Sequence, residues 1–196
     1  MKAFNKWSTK DITVEDAGLK DYISLQARIV PRTGGSNVGT RFIKSKTFIV
    51  ERLMNRVMVA GHKGKKHFKS SNHMTGKAAN AYDIVEKAFE KIEQKTKQNP
   101  IEVFVKALEN AAPREEIVTI EYGGARYPKA VECAPQRRID IALKIMTQGS
   151  YHSVFNKKKS IVDGLADEIL AAYNSSQNSN AISKKLELER QADASR

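Results

Sequence analysis

Apolar residues recur at helical spacing in six stretches of the chain. In the first, Ile49, Leu53 and Val57 are each four residues apart, which brings their side chains to one side of a helix. The six predicted helices span residues 46–60, 77–96, 100–112, 135–149, 160–173 and 181–193. The pattern therefore predicts a mainly α fold with a single helical domain.

Residues that favour helix ends support these boundaries. Asn99 can cap the third helix, Pro100 suits its first position, and Glu102 follows the cap by three residues. A glycine often terminates a helix, so Gly61 and Gly149 are expected to end the first and fourth helices.

The apolar period changes to two between residues 116 and 133. Val118, Ile120 and Tyr122 occupy alternate positions before the pair Gly123-Gly124, which indicates a tight turn. Proline cannot donate a hydrogen bond to a neighbouring strand, so Pro128 restricts its strand to an edge. We expect a two-stranded β-hairpin that protrudes between the third and fourth helices.

Regular patterns are weak in two other regions. Residues 1–45 contain the helix-breaking run 31–36, and we interpret them as an N-terminal extension or arm with little structure of its own. Residues 46–196 then form the helical domain. The predicted loop 61–76 is long for a compact domain, and loops of this length are usually functional or disordered.

Charge changes this picture by predicting an anionic partner. The chain has 34 Lys and Arg against 22 Asp and Glu, a net charge of +12, whereas about 2–8 suffices to keep a small domain soluble. Residues 41–77 carry +9 and residues 126–159 carry +6, so these two segments hold more than the whole net charge. If they meet in the fold, they form one face suited to phosphates.

Other features exclude several protein classes. The single cysteine, Cys133, cannot form an internal disulfide, and no general base for a nucleophilic cysteine is evident nearby. No apolar stretch reaches 18 residues, and the N-terminus lacks the apolar core of a secretory signal. We expect a reduced, soluble, cytoplasmic protein that does not enter a membrane.

The basic loop also contains three histidines, His62, His67 and His73. Histidine is a common metal ligand, but these spacings match no helical pair, and the adjacent lysines would repel a cation. Contact with phosphate or base is the favoured alternative. The glycines at 61 and 64 are too close for a phosphate-binding loop of a nucleotide hydrolase, and the required hydroxyl residue is missing.

These residues leave three functions to compare. A structural RNA-binding protein would use the two basic segments to contact phosphates. A helix-turn-helix DNA regulator would need a recognition helix and usually a dimer. A metal nuclease would need the histidine loop as its ligand set.

Several motifs together resemble the universal family-seven proteins of the small ribosomal subunit, and more closely their archaeal and eukaryotic branch. The resemblance covers about residues 41–196. In chain order the motifs are IVERLM at 49–54, NPIEV at 99–103, ALENAAPREE at 107–116, YGGARYP at 122–128, PQRR at 135–138, LADEI at 165–169 and LER at 188–190.

The resemblance implies a non-enzymatic ribosomal protein without a cofactor or a metal. It implies binding to the 3′ major domain of small-subunit rRNA and nucleation of the subunit head. It also implies a position beside the mRNA exit channel and the exit tRNA site, next to the platform protein of family eleven.

The candidate residues combine the basic segments with the motif positions of the family. The candidate rRNA contacts are Arg41, Lys44, Lys46, Arg52, Arg56, Lys63, Lys65, Lys66, Lys69, Lys77, Arg137, Arg138, Lys157, Lys158 and Lys159. The hairpin tip near the exit tRNA and mRNA would comprise Gly123, Gly124, Ala125, Arg126 and Lys129.

Overall fold

The computed structural model describes residues 1–35, 39–63, 66–67 and 75–196, with side chains for all of these except 62, 63, 66 and 67. The described helices are α1 (Ile43–Lys46), α2 (Ile49–Val57), α3 (Ala78–Thr96), α4 (Pro100–Ala111), α5 (Pro135–Val154), α6 (Ile161–Tyr173) and α7 (Asn180–Asp193). The described strands are β1 (Lys2–Ala3), β2 (Trp7–Ser8), β3 (His62–Lys63), β4 (Lys66–His67), β5 (Glu115–Tyr122) and β6 (Ala125–Glu132). The mainly α prediction is confirmed.

The core lies where α6 packs against α3, α4 and α5. Phe104, Leu108 and Ile169 are completely buried there, as the apolar stripes of their helices require. The predicted N-cap of the third helix also forms, because Asn99 accepts a hydrogen bond from the Ile101 N–H at 3.1 Å. These contacts fix α4 and α6 as the centre of the helical body.

The predicted hairpin is present as strands β5 and β6 between α4 and α5. They pair antiparallel from Glu115 opposite Glu132 to Tyr122 opposite Ala125. Gly123 and Gly124 have φ angles of 58° and 82°, the left-handed conformation that a two-residue hairpin turn requires. The outer half of the ribbon is exposed, and its inner end packs on α7.

The N-terminal segment differs from the predicted arm, because it packs into the helical core. Phe4 and Trp7 are buried, with ring centroids 6.2 Å and 5.9 Å from Phe89 on α3. The Trp7 indole N–H donates to Glu93 at 3.1 Å. These contacts join residues more than 80 positions apart, so no local period in the sequence could indicate them.

The predicted helix 46–60 is observed as the shorter α2, Ile49–Val57, which ends before the predicted stop at Gly61, and the short α1 precedes it. Thr47 and Phe48 separate the two helices, and the side chain of Phe48 is buried. The backbone there pairs with the N-terminal segment, since the Ile49 N–H donates to the Ser24 carbonyl at 3.0 Å. The long-range contact therefore outweighs the local helical preference.

The predicted end of a helix at Gly149 is wrong, since α5 continues to Val154. A Cβ atom at Gly149 would lie 2.7 Å from the Cβ of Asn180, the first residue of α7. The glycine is needed here for close approach of two helices. Sequence alone shows a glycine but not the neighbour that requires it.

The predicted loop 61–76 contains the short paired strands β3 and β4. Residues 64–65 and 68–74 of this loop, which include His73, lie outside the described residues. Within the described part of the chain, no helix is both long enough and apolar enough to cross a membrane.

Candidate nucleic-acid interface

The structure brings the two basic segments together along an open groove of about 670 Å³ between α2 and α5. Lys44 and Arg56 come from the first segment, and Arg137 and Lys144 come from the second. We call the groove lined by these four residues and Asp140 the basic groove. Part of each segment therefore lies on one positive face, as was expected if the segments met.

Asp140 is the carboxylate that organises the basic groove. It accepts a hydrogen bond from Lys44 and another from Arg52 at 3.1 Å, and a guanidinium nitrogen of Arg56 lies 3.8 Å away. Burial raises the pKa of Asp140, whereas the Lys44 hydrogen bond and the positive charge of Arg52 lower it. The lowering effects together are larger, so the pKa of Asp140 lies below its ordinary value. Three cations therefore share one ionised acid, and the groove keeps an excess of positive charge.

Arg137 lies where the basic groove meets the base of the hairpin. Its Nε and Nη2 atoms donate to the two carboxylate oxygens of Glu116 at 2.5 and 2.6 Å. This paired geometry sets the direction of the guanidinium while most of the side chain stays exposed. The contact couples the first turn of α5 to strand β5.

Two predicted rRNA contacts, Arg52 and Arg138, are instead buried, with only 6% and 8% of their surfaces exposed. Arg138 donates to Asp16 at 2.7 Å and to the Pro113 carbonyl at 3.1 Å. Arg52 also donates to the Tyr22 carbonyl at 3.2 Å. Both guanidinium groups hold the N-terminal segment against the helical body, so we treat them as positioning residues.

The other predicted basic contacts have varied surroundings. Arg41, Lys46, Lys77, Lys157 and Lys158 are exposed. Lys159 is paired with Asp167 at 2.6 Å. Several predicted residues cannot be placed as side chains: Lys65, Lys69 and His73 lie outside the described residues, and Lys63, Lys66, His62 and His67 lie in β3 and β4 with undescribed side chains.

The hairpin tip carries an aromatic pair that sequence reasoning missed. Tyr122 is 81% exposed and Tyr127 is 57% exposed. Tyr127 lies opposite Ile120, and Tyr122 is two positions further along the same strand, so both rings share one face with Lys129. The two tyrosines lie on different strands, so no spacing along one strand indicates that they share a face. Only the register of β5 and β6, which the turn at Gly123-Gly124 fixes, shows this.

Lysines of α3 are paired with acids of α6. Lys91 and Lys95 on α3 bond to Asp163 and Asp167 on α6, the second pair at 2.8 Å. We call this surface the α3–α6 face. Asp167 also pairs with Lys159, so three lysines meet two carboxylates here, a smaller positive excess than the four basic residues around Asp140 leave in the basic groove.

Comparison with known proteins decides the family. The family described as "Ribosomal protein S7p/S5e" matches residues 19–196. The chain belongs to that family. It is 55% identical over 196 residues to "Small ribosomal subunit protein uS7" of Nanoarchaeum equitans, covering 100% of this chain and 99% of the relative. Proteins of the same name from Methanosphaera stadtmanae and Archaeoglobus fulgidus are 48% and 45% identical, with at least 94% of each chain covered.

Membership confirms the prediction of a structural, non-enzymatic ribosomal protein of the archaeal type. The family is part of the cytoplasmic ribosome, as was also predicted. Burial and the negative charge of Glu116 raise the pKa of the Cys133 thiol to about 11, so the thiol stays protonated near neutral pH. This property agrees with a structural role for Cys133 at the end of the hairpin.

Proposed function

We propose that this chain binds the 3′ major domain of small-subunit rRNA through the basic groove and nucleates assembly of the subunit head. The observation that carries the proposal is the meeting of residues 41–77 and 126–159 around Asp140. Rigidly held cations from two helices can contact converging RNA strands together. The region 46–196 is the proposed rRNA-binding domain.

The hairpin has a separate proposed role beside the exit tRNA site and the mRNA exit channel. Its tip, from Gly123 to Lys129, exposes Tyr127 and two basic side chains, and Tyr122 is exposed just before it. Aromatic rings stack on unpaired bases, and arginine and lysine contact phosphates. A contact with the platform protein of family eleven would lie on the same side of the subunit.

Exposed lysines and arginines supply the proposed binding free energy by displacing counterions from phosphates. If roughly six to ten phosphates are contacted, affinity should fall about 10³- to 10⁵-fold between 50 and 200 mM salt. Arg41, Lys44, Lys46, Arg56, Lys77, Arg137, Lys157 and Lys158 are the described candidates for these contacts.

The proposal is tested by equilibrium binding to separate archaeal rRNA transcripts at several salt concentrations. We expect tight, steeply salt-dependent binding to the 3′ major domain transcript and much weaker binding to a 5′ domain transcript of equal length. Equal affinity for both transcripts would contradict specific head binding. A flat salt response would contradict the phosphate mechanism.

A further inference from the structure

Glu51 is the single acid in the basic segment 41–77, and it is almost completely buried. It lies in the first turn of α2 with 4% of its surface exposed. Its Oε1 atom accepts from the Thr33 N–H at 2.8 Å and from the Thr33 hydroxyl at 2.5 Å. Its Oε2 atom is buried without a hydrogen-bond partner among the described residues. A buried carboxylate oxygen without a donor is costly, so this atom points to a ligand.

Glu51 lines a pocket of about 500 Å³ that adjoins the basic groove. Apolar side chains form much of its wall: Pro31, Ile43, Met54 and Met58. Its basic lining residues are Arg32, Lys44 and Arg52. Lys44 lines both the pocket and the basic groove, so the two sites are continuous.

These features suit a flat aromatic ligand with hydrogen-bond donors. Apolar walls can contact both faces of a ring, and the free oxygen of Glu51 can accept hydrogen bonds once its side chain turns towards the pocket. The carboxylate would repel a phosphate placed at the same depth. A metal ion would need several oxygen ligands, whereas this wall is largely apolar and bordered by cations.

Resting on the proposed rRNA binding, we propose that this pocket receives an unpaired guanine of the bound RNA. Guanine presents two adjacent donors, N1–H and N2–H, on its Watson–Crick edge. Adenine and cytosine present one amino group beside an acceptor nitrogen, which would face the carboxylate unfavourably. A phosphate held by Lys44 in the basic groove would bring the attached base to the pocket.

Glu51→Gln tests the proposal because general electrostatics and the guanine pocket predict opposite changes in RNA affinity. The substitution keeps one oxygen for Thr33 and replaces the other with an amide that donates towards guanine. It also removes one negative charge, so general electrostatics predicts equal or tighter RNA binding. The guanine pocket predicts about 5- to 100-fold weaker binding, the range for loss of a good base contact.

The matched control is Glu102→Gln, which makes the same charge change at an exposed position on α4. Kethoxal probing reports whether the Watson–Crick edge of each unpaired guanine is protected. Wild type and the control should protect one guanine that Glu51→Gln leaves reactive, while the rest of the footprint persists. Thermal unfolding of the free proteins should show all three folded.

An RNA variant keeps the test independent of protein folding. Changing the protected guanine to adenine should weaken wild-type binding by a similar factor and should add little to the effect of Glu51→Gln. Wild-type-like affinity and an unchanged guanine footprint in Glu51→Gln would overturn the pocket alone. Absence of any wild-type footprint on head rRNA would overturn the proposed function as well.

Discussion

The basic groove and the α3–α6 face both carry basic side chains, but they differ in how many carboxylates pair with them. On the α3–α6 face, three lysines meet the two carboxylates Asp163 and Asp167 of α6: Lys91, Lys95 and Lys159. In the basic groove, Asp140 serves three cations at once. Lysine content alone therefore does not mark an interface, because the charge that remains depends on how many carboxylates lie among the basic side chains.

Adjacent arginines on α5 give the largest test of this distinction. Arg138→Ala should lower the free energy of unfolding by about 3 kcal/mol, because it leaves Asp16 and the Pro113 carbonyl without their donor. Arg137→Ala should cost less than about 1 kcal/mol, since its pair with Glu116 is exposed. Urea unfolding measures both. An equal loss in the free energy of unfolding for both variants would contradict the distinction between the buried Arg138 and the exposed Arg137 of the groove.

The sequence predicts the basic character of both positions but not their separate surroundings. Arg138 is buried because Asp16, 122 residues earlier, reaches it through the packed N-terminal segment. That segment has no helical or strand period, so its contribution to the core could not be inferred locally. The caps and stripes of α4 and α6 were predictable because their determining residues are close in sequence.

A second test compares the two surfaces directly at equal charge change. The triple variant Arg56→Ala, Arg137→Ala, Lys144→Ala should bind 3′ major domain RNA roughly 10²-fold more weakly at about 100 mM salt. The logarithmic salt slope should decrease by about 2–3, since up to three phosphate contacts are lost. Filter binding across salt concentrations measures both quantities.

The matched control for that variant is Lys91→Ala, Lys95→Ala, Lys106→Ala, which removes two lysines of the α3–α6 face and one of α4. Each of these lysines bonds to a carboxylate of the chain. We expect the salt slope to stay within experimental error of wild type. A similar loss in both triple variants would show that net charge, and not the basic groove, determines binding.

A substitution at Gly149 of α5 should change the packing of the fold without changing RNA binding. Gly149→Ala should destabilise the fold by about 2 kcal/mol, because the new methyl group overlaps the Cβ of Asn180. Combining it with Asn180→Gly should recover part of the Gly149→Ala loss, which a double-mutant cycle of thermal unfolding would measure. The RNA salt slope should not change. Additive losses would contradict the close approach of α5 and α7.

The smallest expected effect is the pH response of the shared carboxylate. The pKa of Asp140 is lowered in the folded protein from an ordinary value of 3.8, so its stabilisation is present above that value and is lost as the pH falls. Asp140→Asn should therefore lose less stability than wild type between pH 6 and pH 3. Urea unfolding at both pH values measures this difference, and parallel losses would contradict the linkage.

The candidate site shows the same limit of sequence reasoning as the fold. The two basic segments were visible from residue counts, but their common groove depends on the contact between α2 and α5. The exposed face of Tyr122 and Tyr127 required the strand register, and the pocket at Glu51 required the path of residues 31–35. Each missed feature is formed by residues brought together from different parts of the chain.

Ultraviolet crosslinking of the intact protein to small-subunit rRNA, with both partners mapped, tests the central claim most directly. If the basic groove and the hairpin tip bind this RNA, crosslinked peptides should come from α1, α2, the start of α5 and the hairpin tip, joined to nucleotides of the 3′ major domain. Crosslinks from α3 and α6, or nucleotides concentrated outside that domain, would contradict it.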